Sequence, residues 1–159
     1  MLPVFEVDFW KKRLRKAQTY GILRYAVAVF PRLTWQTHEM SMKYAAQNVE
    51  SGEKVLDFGC GYGRNAFLFS KEDYVGVDIV PEFIEIAKSE NPGYSFMVGD
   101  IRKLPFKDKE FDWAIGVSMK QMIRGNYGEE VWNDIEKELK RVAKKLMIVE
   151  YDEDQPTII

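Results

Sequence analysis

Three glycines at every second position, Gly59, Gly61 and Gly63, follow a short apolar run that begins at Val55. The run is typical of a β-strand, and glycine lets the backbone bend sharply over a ligand because it has no Cβ atom. Backbone N–H groups in such a turn suit a ligand carboxylate. The first candidate chemistry is therefore ligand binding at the carboxyl end of a parallel strand, where open α/β sheets bind nucleotides.

Two acidic residues accompany this turn. Asp57 stands beside it in the apolar run, where it would receive a ligand ammonium group directly or through water, or instead cap the loop by accepting from its amides. Asp78 closes the next apolar run, Tyr74–Asp78, 19 residues after Gly59. A carboxylate at that spacing accepts hydrogen bonds from two ribose hydroxyls in dinucleotide-binding folds. Ile79 would then pack on an adenine ring, so these residues favour an adenosine-containing ligand.

Four motifs follow one another in a fixed order along the chain. They are the glycine turn with its strand at Lys54–Asn65, the strand Tyr74–Asp78, the stretch Phe96–Ile101 with Leu104–Phe106, and the strand Phe111–Ser118. In this order, from about Lys54 to Glu150, the chain resembles class I S-adenosylmethionine (SAM)-dependent methyltransferases. The resemblance implies methyl transfer from SAM, with S-adenosylhomocysteine as the product.

The resemblance also completes the expected cofactor site. Asp100 would accept from the exocyclic amine of adenine, and Ile101 would supply an apolar contact. The full set of expected cofactor-binding residues lies at strand ends and in the loops that follow them: Asp57, Gly59, Cys60, Gly61, Gly63, Asp78, Ile79, Asp100, Ile101 and Ser118. No metal is expected, because His38 is the only histidine of the chain and no histidine cluster can form.

The acceptor side is expected to use Met119, Lys120 and Gln121 after the fourth strand, with Trp35 and His38 from an upstream helix. No catalytic residue is assigned, since displacement at a sulfonium has a neutral leaving group and needs mainly alignment and exclusion of water. His38 on a helix stripe is more simply a packed side chain, and Met119 a pocket or core residue. The Gly-Asp-x-x-x-Leu-Pro-Phe stretch most resembles small-molecule methyltransferases, so a small-molecule acceptor is favoured.

Two other functions are compatible with parts of this pattern. A non-catalytic SAM-binding subunit would be completed by a partner protein, because the antiparallel hairpin strands usual in the family are expected to be absent here. An NAD-binding oxidoreductase is less favoured, because its G-x-G-x-x-G fingerprint requires glycine where Arg64 stands. The Leu-Pro-Phe stretch after Asp100 also has no role in a dinucleotide site.

The elements that must position these residues alternate between strand and helix from Lys54 onward. This pattern predicts an α/β fold, a Rossmann-like parallel sheet with right-handed crossovers, for which we expect the strand order 3-2-1-4-5. A helix is expected directly after the glycine turn, from Asn65 to Phe69, and another begins at Pro81. A long helix is predicted over about 128–144 and the fifth strand over 146–149.

The first 52 residues are expected to form an N-terminal helical cap over the SAM-binding core of residues 53–151, followed by a flexible tail, residues 152–159. Asp8 is a plausible N-cap for the first helix. Its apolar face is formed by Trp10, Leu14 and Ala17. A later helix carries residues three and four apart: Trp35, His38, Met42, Ala45 and Val49. With Tyr20 and Tyr25, these helices are expected to form the lid of the acceptor pocket.

The bulk composition describes one compact domain. The chain has 159 residues, of which 46% are hydrophobic and 30% charged, with a net charge of −2. Residues 1–50 carry eight Lys or Arg and four acidic residues, so nucleic acid could bind these basic helices, although a solvated helix face is favoured. One cysteine and the lack of a leader or a bilayer-spanning apolar run predict a cytoplasmic protein without a membrane span. A homodimer is left open.

Overall fold

The computed structural model of the chain describes four stretches: residues 6–19, 42–43, 45–150 and 157–159. Met42 and Ala45 of the predicted third helix are helical and buried. Three aromatic residues of the predicted lid, Tyr20, Tyr25 and Trp35, and the candidate substrate residue His38 lie outside the described part of the chain.

From residue 54 onward the described strands and helices alternate as predicted, except that no helix separates the third strand from the fourth. The strands are β1 Val55–Phe58, β2 Tyr74–Asp78, β3 Ser95–Val98, β4 Phe111–Val117, β5 Ala143–Val149 and β6 Thr157–Ile158. The helices are α1 Val7–Thr19, α2 Pro81–Glu90, α3 Met119–Tyr127 and α4 Glu129–Val142, with a short 3-10 helix at Ala66–Leu68. The sheet order is β3-β2-β1-β4-β5-β6, and the first five strands are parallel, which confirms the predicted order 3-2-1-4-5.

The sheet continues past β5, which the sequence did not predict. Thr157–Ile158 pairs antiparallel with β5, and Ile159 exchanges two backbone hydrogen bonds with Leu146, with N···O distances of 2.8 and 2.9 Å. The expected flexible tail is therefore wrong for residues 157–159, and the sheet does carry one short antiparallel strand. Pairing satisfies backbone groups that an open β5 edge would leave exposed.

Four further features differ from the prediction. The segment after the glycine turn forms only the 3-10 helix, and its last apolar residue, Phe69, is already extended. Asp8 is not an N-cap, because α1 begins at Val7 and Asp8 lies in its first turn. Helix α3 was not predicted, since its nine residues bury only Met122 and Ile123 and include a glycine. The fifth strand begins three residues earlier than predicted.

Both faces of the sheet are buried, as expected for parallel strands connected by helices. In β1, Leu56 and Phe58 pack in one core cluster, whereas Val55 packs in the cluster on the other face. The predicted apolar face of α1 is confirmed by the burial of Trp10, Leu14 and Ala17.

Helix α1 packs beside α2 on the sheet. The ring centroids of Trp10 and Phe83 are 6.5 Å apart, and the Lys11 ammonium lies 2.8 Å from a Glu82 carboxylate oxygen. Trp10 is therefore a core residue. Of the described helices, none is both long and apolar enough to cross a membrane.

Candidate cofactor site

The glycine turn depends on backbone angles that favour glycine. Gly59, Gly61 and Gly63 have φ angles of +72°, +56° and +77°, in the left-handed region that side chains disfavour. The amides of Gly59 and Cys60 both donate to the Val77 carbonyl oxygen, at 2.8 and 3.0 Å, and so attach the turn to β2. The alternating glycines thus form a fixed loop at the carboxyl end of β1, which confirms the predicted turn.

Asp78 joins this turn to the end of β2. One of its carboxylate oxygens accepts from the Gly61 amide at 2.8 Å, and the other accepts from the Val80 amide at 2.9 Å. Burial raises the pKa of Asp78 to about 6, against the opposing effect of these amide hydrogen bonds. Each carboxylate oxygen has a further lone pair, so the fixed carboxylate can accept additional hydrogen bonds beside the turn.

Asp57 is almost completely buried, at 2% exposure, and it lies on the same face of the sheet as Asp78. Its Oδ2 accepts from the Tyr74 hydroxyl at 2.7 Å. Burial raises the pKa of Asp57 to about 6; the Tyr74 hydrogen bond and the charge of Arg64 oppose the rise, and Asp78 adds to it. Two buried carboxyl groups therefore lie on one sheet face near the turn, an arrangement suited to a ligand with hydroxyl and ammonium groups.

Cys60 contributes a small side chain to the turn. Its thiol is buried, and its pKa is raised well above the usual range by burial first and then by Asp57 and Asp78. The thiol is therefore neutral and unreactive at neutral pH, in agreement with its expected role as a small residue inside the glycine turn.

Asp100, the residue expected to accept from an adenine amine, already has a partner. The Arg102 Nε lies 2.9 and 3.0 Å from the two Asp100 carboxylate oxygens, and the Arg102 amide donates to one of them at 2.9 Å. These hydrogen bonds hold the pKa of Asp100 below its usual range. A ligand amine would have to share this carboxylate with Arg102.

The two isoleucines expected against the adenine ring belong to the apolar interior. Ile101 is buried in the main core cluster, and Ile79 is half-buried and packs against the same cluster. Their contact with a ligand stays a prediction.

The structure brings the predicted acceptor-side segment onto the glycine turn. Ser118 adopts a left-handed conformation, with φ 56° and ψ 21°, and its amide donates to the Val149 carbonyl at 2.7 Å. Met119 follows at the start of α3, and its side chain lies on Gly59. A Cβ atom built on Gly59 would be 2.6 Å from the Met119 sulfur.

The other two residues of this segment contact neighbouring elements. The Lys120 ammonium lies 5.9 Å from the ring centroid of Trp132 in α4. The backbone amide of Gln121 donates to the Glu150 carboxylate oxygen Oε1 at 3.2 Å. Lys120 and Gln121 therefore help to hold the first turn of α3 against α4 and the end of β5.

Sequence reasoning missed two residues of this region. Glu150 is 2% exposed and follows β5, just as Asp78 ends β2, so an acid after an apolar run was the available signal. Tyr74 contacts Asp57 across two strands, and nothing in the local sequence links them. Among the described side chains, no three His, Cys, Asp or Glu form a group that could hold a metal ion, and His38 lies outside them.

Comparison with known proteins gives consistent matches. Residues 55–145 match the family model described as a methyltransferase domain. The demethylmenaquinone methyltransferase of Staphylococcus saprophyticus is 30% identical over 148 residues, covering 87% of this chain and 59% of the relative. The fatty-acid O-methyltransferase of Mycolicibacterium smegmatis is 33% identical over 84 residues, covering 49% of this chain and 31% of the relative.

A solved structure also matches most of the chain. The PH0226 protein of Pyrococcus horikoshii is 31% identical, with a TM-score of 0.60, and the match covers 74% of this chain and 58% of that one. The chain thus spans between about a third and three fifths of the length of these relatives.

Proposed function

Because the chain belongs to the methyltransferase domain family, we propose that it binds SAM at the glycine turn and transfers the methyl group to a small-molecule acceptor. The observation that carries this proposal is the junction of β1 and β2. There the Asp78 carboxylate accepts from the Gly61 amide, so that a ribose-binding acid and a ligand-binding turn lie side by side.

The residues present fit this cofactor. The glycines keep the backbone of the turn free of side chains where the methionine moiety is proposed to lie. A methionine carboxylate would share the amides of Gly59, Cys60 and Gly61 with their present acceptors, Val77 and Asp78. The buried Asp57 is proposed to receive the ammonium group, and Asp78 the ribose hydroxyls. Asp100 is proposed to receive the adenine amine jointly with its partner Arg102. An adenosine ligand carrying a cationic amino acid needs acceptors of this kind.

The bound cofactor would supply a methyl group already activated on a sulfonium, with a neutral leaving group. The chain itself then has to align the acceptor and keep water out. Met119 is a candidate for this role, because it begins α3 and its side chain lies on Gly59. We propose Met119, Lys120 and Gln121 as acceptor-side residues, and no general base is proposed.

The proposed acceptor class rests on the names of the relatives. One is a fatty-acid O-methyltransferase and another a demethylmenaquinone methyltransferase, which supports a small molecule rather than a nucleic acid. Trp35 and His38 stay proposed contributors from the proposed cap, residues 1–52, which would adjoin the core of residues 53–151. The single cysteine supports a cytoplasmic location, and a homodimer is an alternative use of the cap surface.

The proposal is tested by incubating the pure chain with SAM and a panel of fatty acids, phenols and quinols, and measuring S-adenosylhomocysteine by mass spectrometry. We expect product that depends on at least one acceptor and that is greatly reduced in Asp78→Ala. Binding of SAM without product from any acceptor would favour the non-catalytic subunit. No binding of SAM at all would contradict the proposal.

A further inference from the structure

Tyr74 at the start of β2 has no place in the site expected from the sequence, yet its hydroxyl reaches the site. The side chain is 1% exposed, and its hydroxyl donates to Asp57 Oδ2 at 2.7 Å. Burial first, and then the charge of Asp57, raises the pKa of Tyr74 well above its usual range. The hydroxyl therefore keeps its proton at neutral pH and acts as a donor.

The strand register explains how the two side chains meet. Val55 pairs with Tyr74, and Asp57 pairs with Gly76, so all four residues share one face of the sheet. The Tyr74 hydroxyl reaches Asp57, two positions beyond Val55 on the neighbouring strand, and the space beside Gly76 is filled by Phe96 and Cys60. A Cβ atom on Gly76 would be 2.6 Å from the Phe96 ring.

The Tyr74 ring is fixed by other aromatic rings. Its centroid lies 5.9 Å from that of Phe69 in a stacked arrangement, and 5.6 and 5.7 Å from those of Tyr94 and Phe96 in edge contacts. A ring packed on several sides cannot turn its hydroxyl away from Asp57 without disturbing the core. The donor is thus pre-positioned.

We propose that Tyr74 is a positioning residue, whose hydroxyl orients the Asp57 carboxylate toward the cationic ammonium group of the ligand. This inference rests on the proposed function. A donor bound to a carboxylate favours the ionised form, which is the form that a cation needs. Two other charged groups act on the pKa of Asp57: Arg64 favours its ionisation and Asp78 opposes it. The charge of Asp57 in turn raises the pKa of the Cys60 thiol.

The test is calorimetric titration of the full chain with S-adenosylhomocysteine between pH 5 and pH 8. Tyr74→Phe keeps the ring and removes the hydroxyl. We expect about tenfold weaker binding at pH 6, the size of a lost hydrogen bond to a charged group. We also expect affinity to fall with decreasing pH from a higher midpoint than in the wild type, because Asp57 protonates more easily.

Tyr94→Phe is the matched control. Its hydroxyl donates to the Phe69 carbonyl at 3.1 Å, in the same aromatic cluster but away from Asp57. The control should bind within about twofold of the wild type and keep its pH midpoint. Equal losses in both variants would overturn the proposal, because the hydroxyl of Tyr74 would then act only through packing.

A second variant separates positioning from structure. In an Asp57→Asn background, Tyr74→Phe should change affinity by less than about twofold, because the group it acts through is gone. A full additional loss would contradict the proposal, and so would an unchanged pH midpoint in Tyr74→Phe alone.

Carbon-13 NMR titration of the Asp57 carboxyl needs no ligand, and its midpoint should rise in Tyr74→Phe. If the wild type binds no S-adenosylhomocysteine, the proposed function fails, whereas this NMR result still tests the Tyr74–Asp57 link.

Discussion

At the scale of single residues, the site combines two carboxyl groups that the fold removes from water. Asp57 and Asp78 have pKa values raised to about 6, chiefly by burial. Their ionised forms are therefore less stable in the folded chain than in the unfolded chain. Carboxyl groups with pKa values shifted in this way cluster at functional sites, which supports ligand binding beside the glycine turn.

The pKa of Asp57 makes a prediction about stability. Its rise from 3.8 to about 6 corresponds to a penalty on the order of 3 kcal/mol for the ionised form. The penalty is complete above about pH 6 and absent below about pH 4, where the group is protonated in both states. Asp57→Asn keeps an oxygen acceptor for Tyr74 and removes the charge. Urea unfolding should show the variant more stable than the wild type at pH 8 and about equal at pH 4.

Asp112→Asn provides a control of opposite sign. The Lys144 ammonium lies 2.7 Å from the Asp112 carboxylate and is the main cause that lowers its pKa. The ionised form of Asp112 therefore stabilises the fold above its unfolded pKa, and this variant should lose stability at pH 8. If Asp57→Asn were also destabilised at pH 8, the buried carboxyl group would not carry the expected penalty.

The positions of these residues could be predicted from the sequence, whereas their partners could not. Asp57 was expected beside the glycine turn because it stands in the apolar run directly before it, and Asp78 because it ends the next run, 19 residues after Gly59. The contact of Tyr74 with Asp57 depends on the register between two strands, which no local pattern specifies. The Arg102 ion pair with Asp100 depends in the same way on the conformation of a loop.

At the scale of elements, the glycine turn was predicted correctly because its geometry is set by local backbone preferences. All three glycines of the turn adopt left-handed φ angles, which other residues disfavour. The segment that follows was predicted as a full helix from its apolar spacing, but the chain turns back toward β2 after one 3-10 turn. Helix α3 was not predicted, because its apolar face contains only Met122 and Ile123 and its stability comes from their packing in the core.

A substitution in the turn separates backbone strain from ligand contact. Gly61→Val places a branched side chain at φ +56° in a buried turn whose amide binds Asp78. We expect binding of S-adenosylhomocysteine to weaken at least about 100-fold, while circular dichroism shows a folded chain with a lower Tm. Strain of a residue forced into this region is about 1–3 kcal/mol.

Gly52→Val is the matched control for this prediction. Gly52 has φ +86° and nothing within 4 Å of an added Cβ, and it lies in an exposed turn before β1. It should suffer similar backbone strain and bind the ligand like the wild type. If both valine variants bound alike, the glycine turn would be a structural connection and the proposed cofactor site would be misplaced.

At the scale of the whole molecule, polar residues follow the carboxyl ends of the parallel strands on both sides of β1. Asp78, Asp100, Ser118 and Glu150 come at the end of or shortly after β2, β3, β4 and β5. Alternation of strand and helix was enough to predict this sheet, because each crossover has one favoured hand. Strand β6 was not predictable, since two residues show no periodicity.

The order of these strands determines where the ligand would lie. β1 is central, with β2 on one side and β4 on the other. The chain crosses from one half of the sheet to the other at this point, and open α/β sheets bind ligands in the crevice formed there. The glycine turn of β1, Asp78 of β2 and Met119 after β4 all meet at this point of the sheet.

The most direct test of the proposed function is calorimetric titration of S-adenosylhomocysteine and, separately, NAD into the wild type, Asp78→Ala and Asp134→Ala. Asp134 is an exposed acid on α4 and serves as the control. We predict a micromolar dissociation constant for the wild type and the control, a loss of ~1.5–3 kcal/mol in Asp78→Ala, and no binding of NAD. Equal affinities of all three proteins for S-adenosylhomocysteine, or binding of NAD instead, would contradict the SAM site at the junction of β1 and β2.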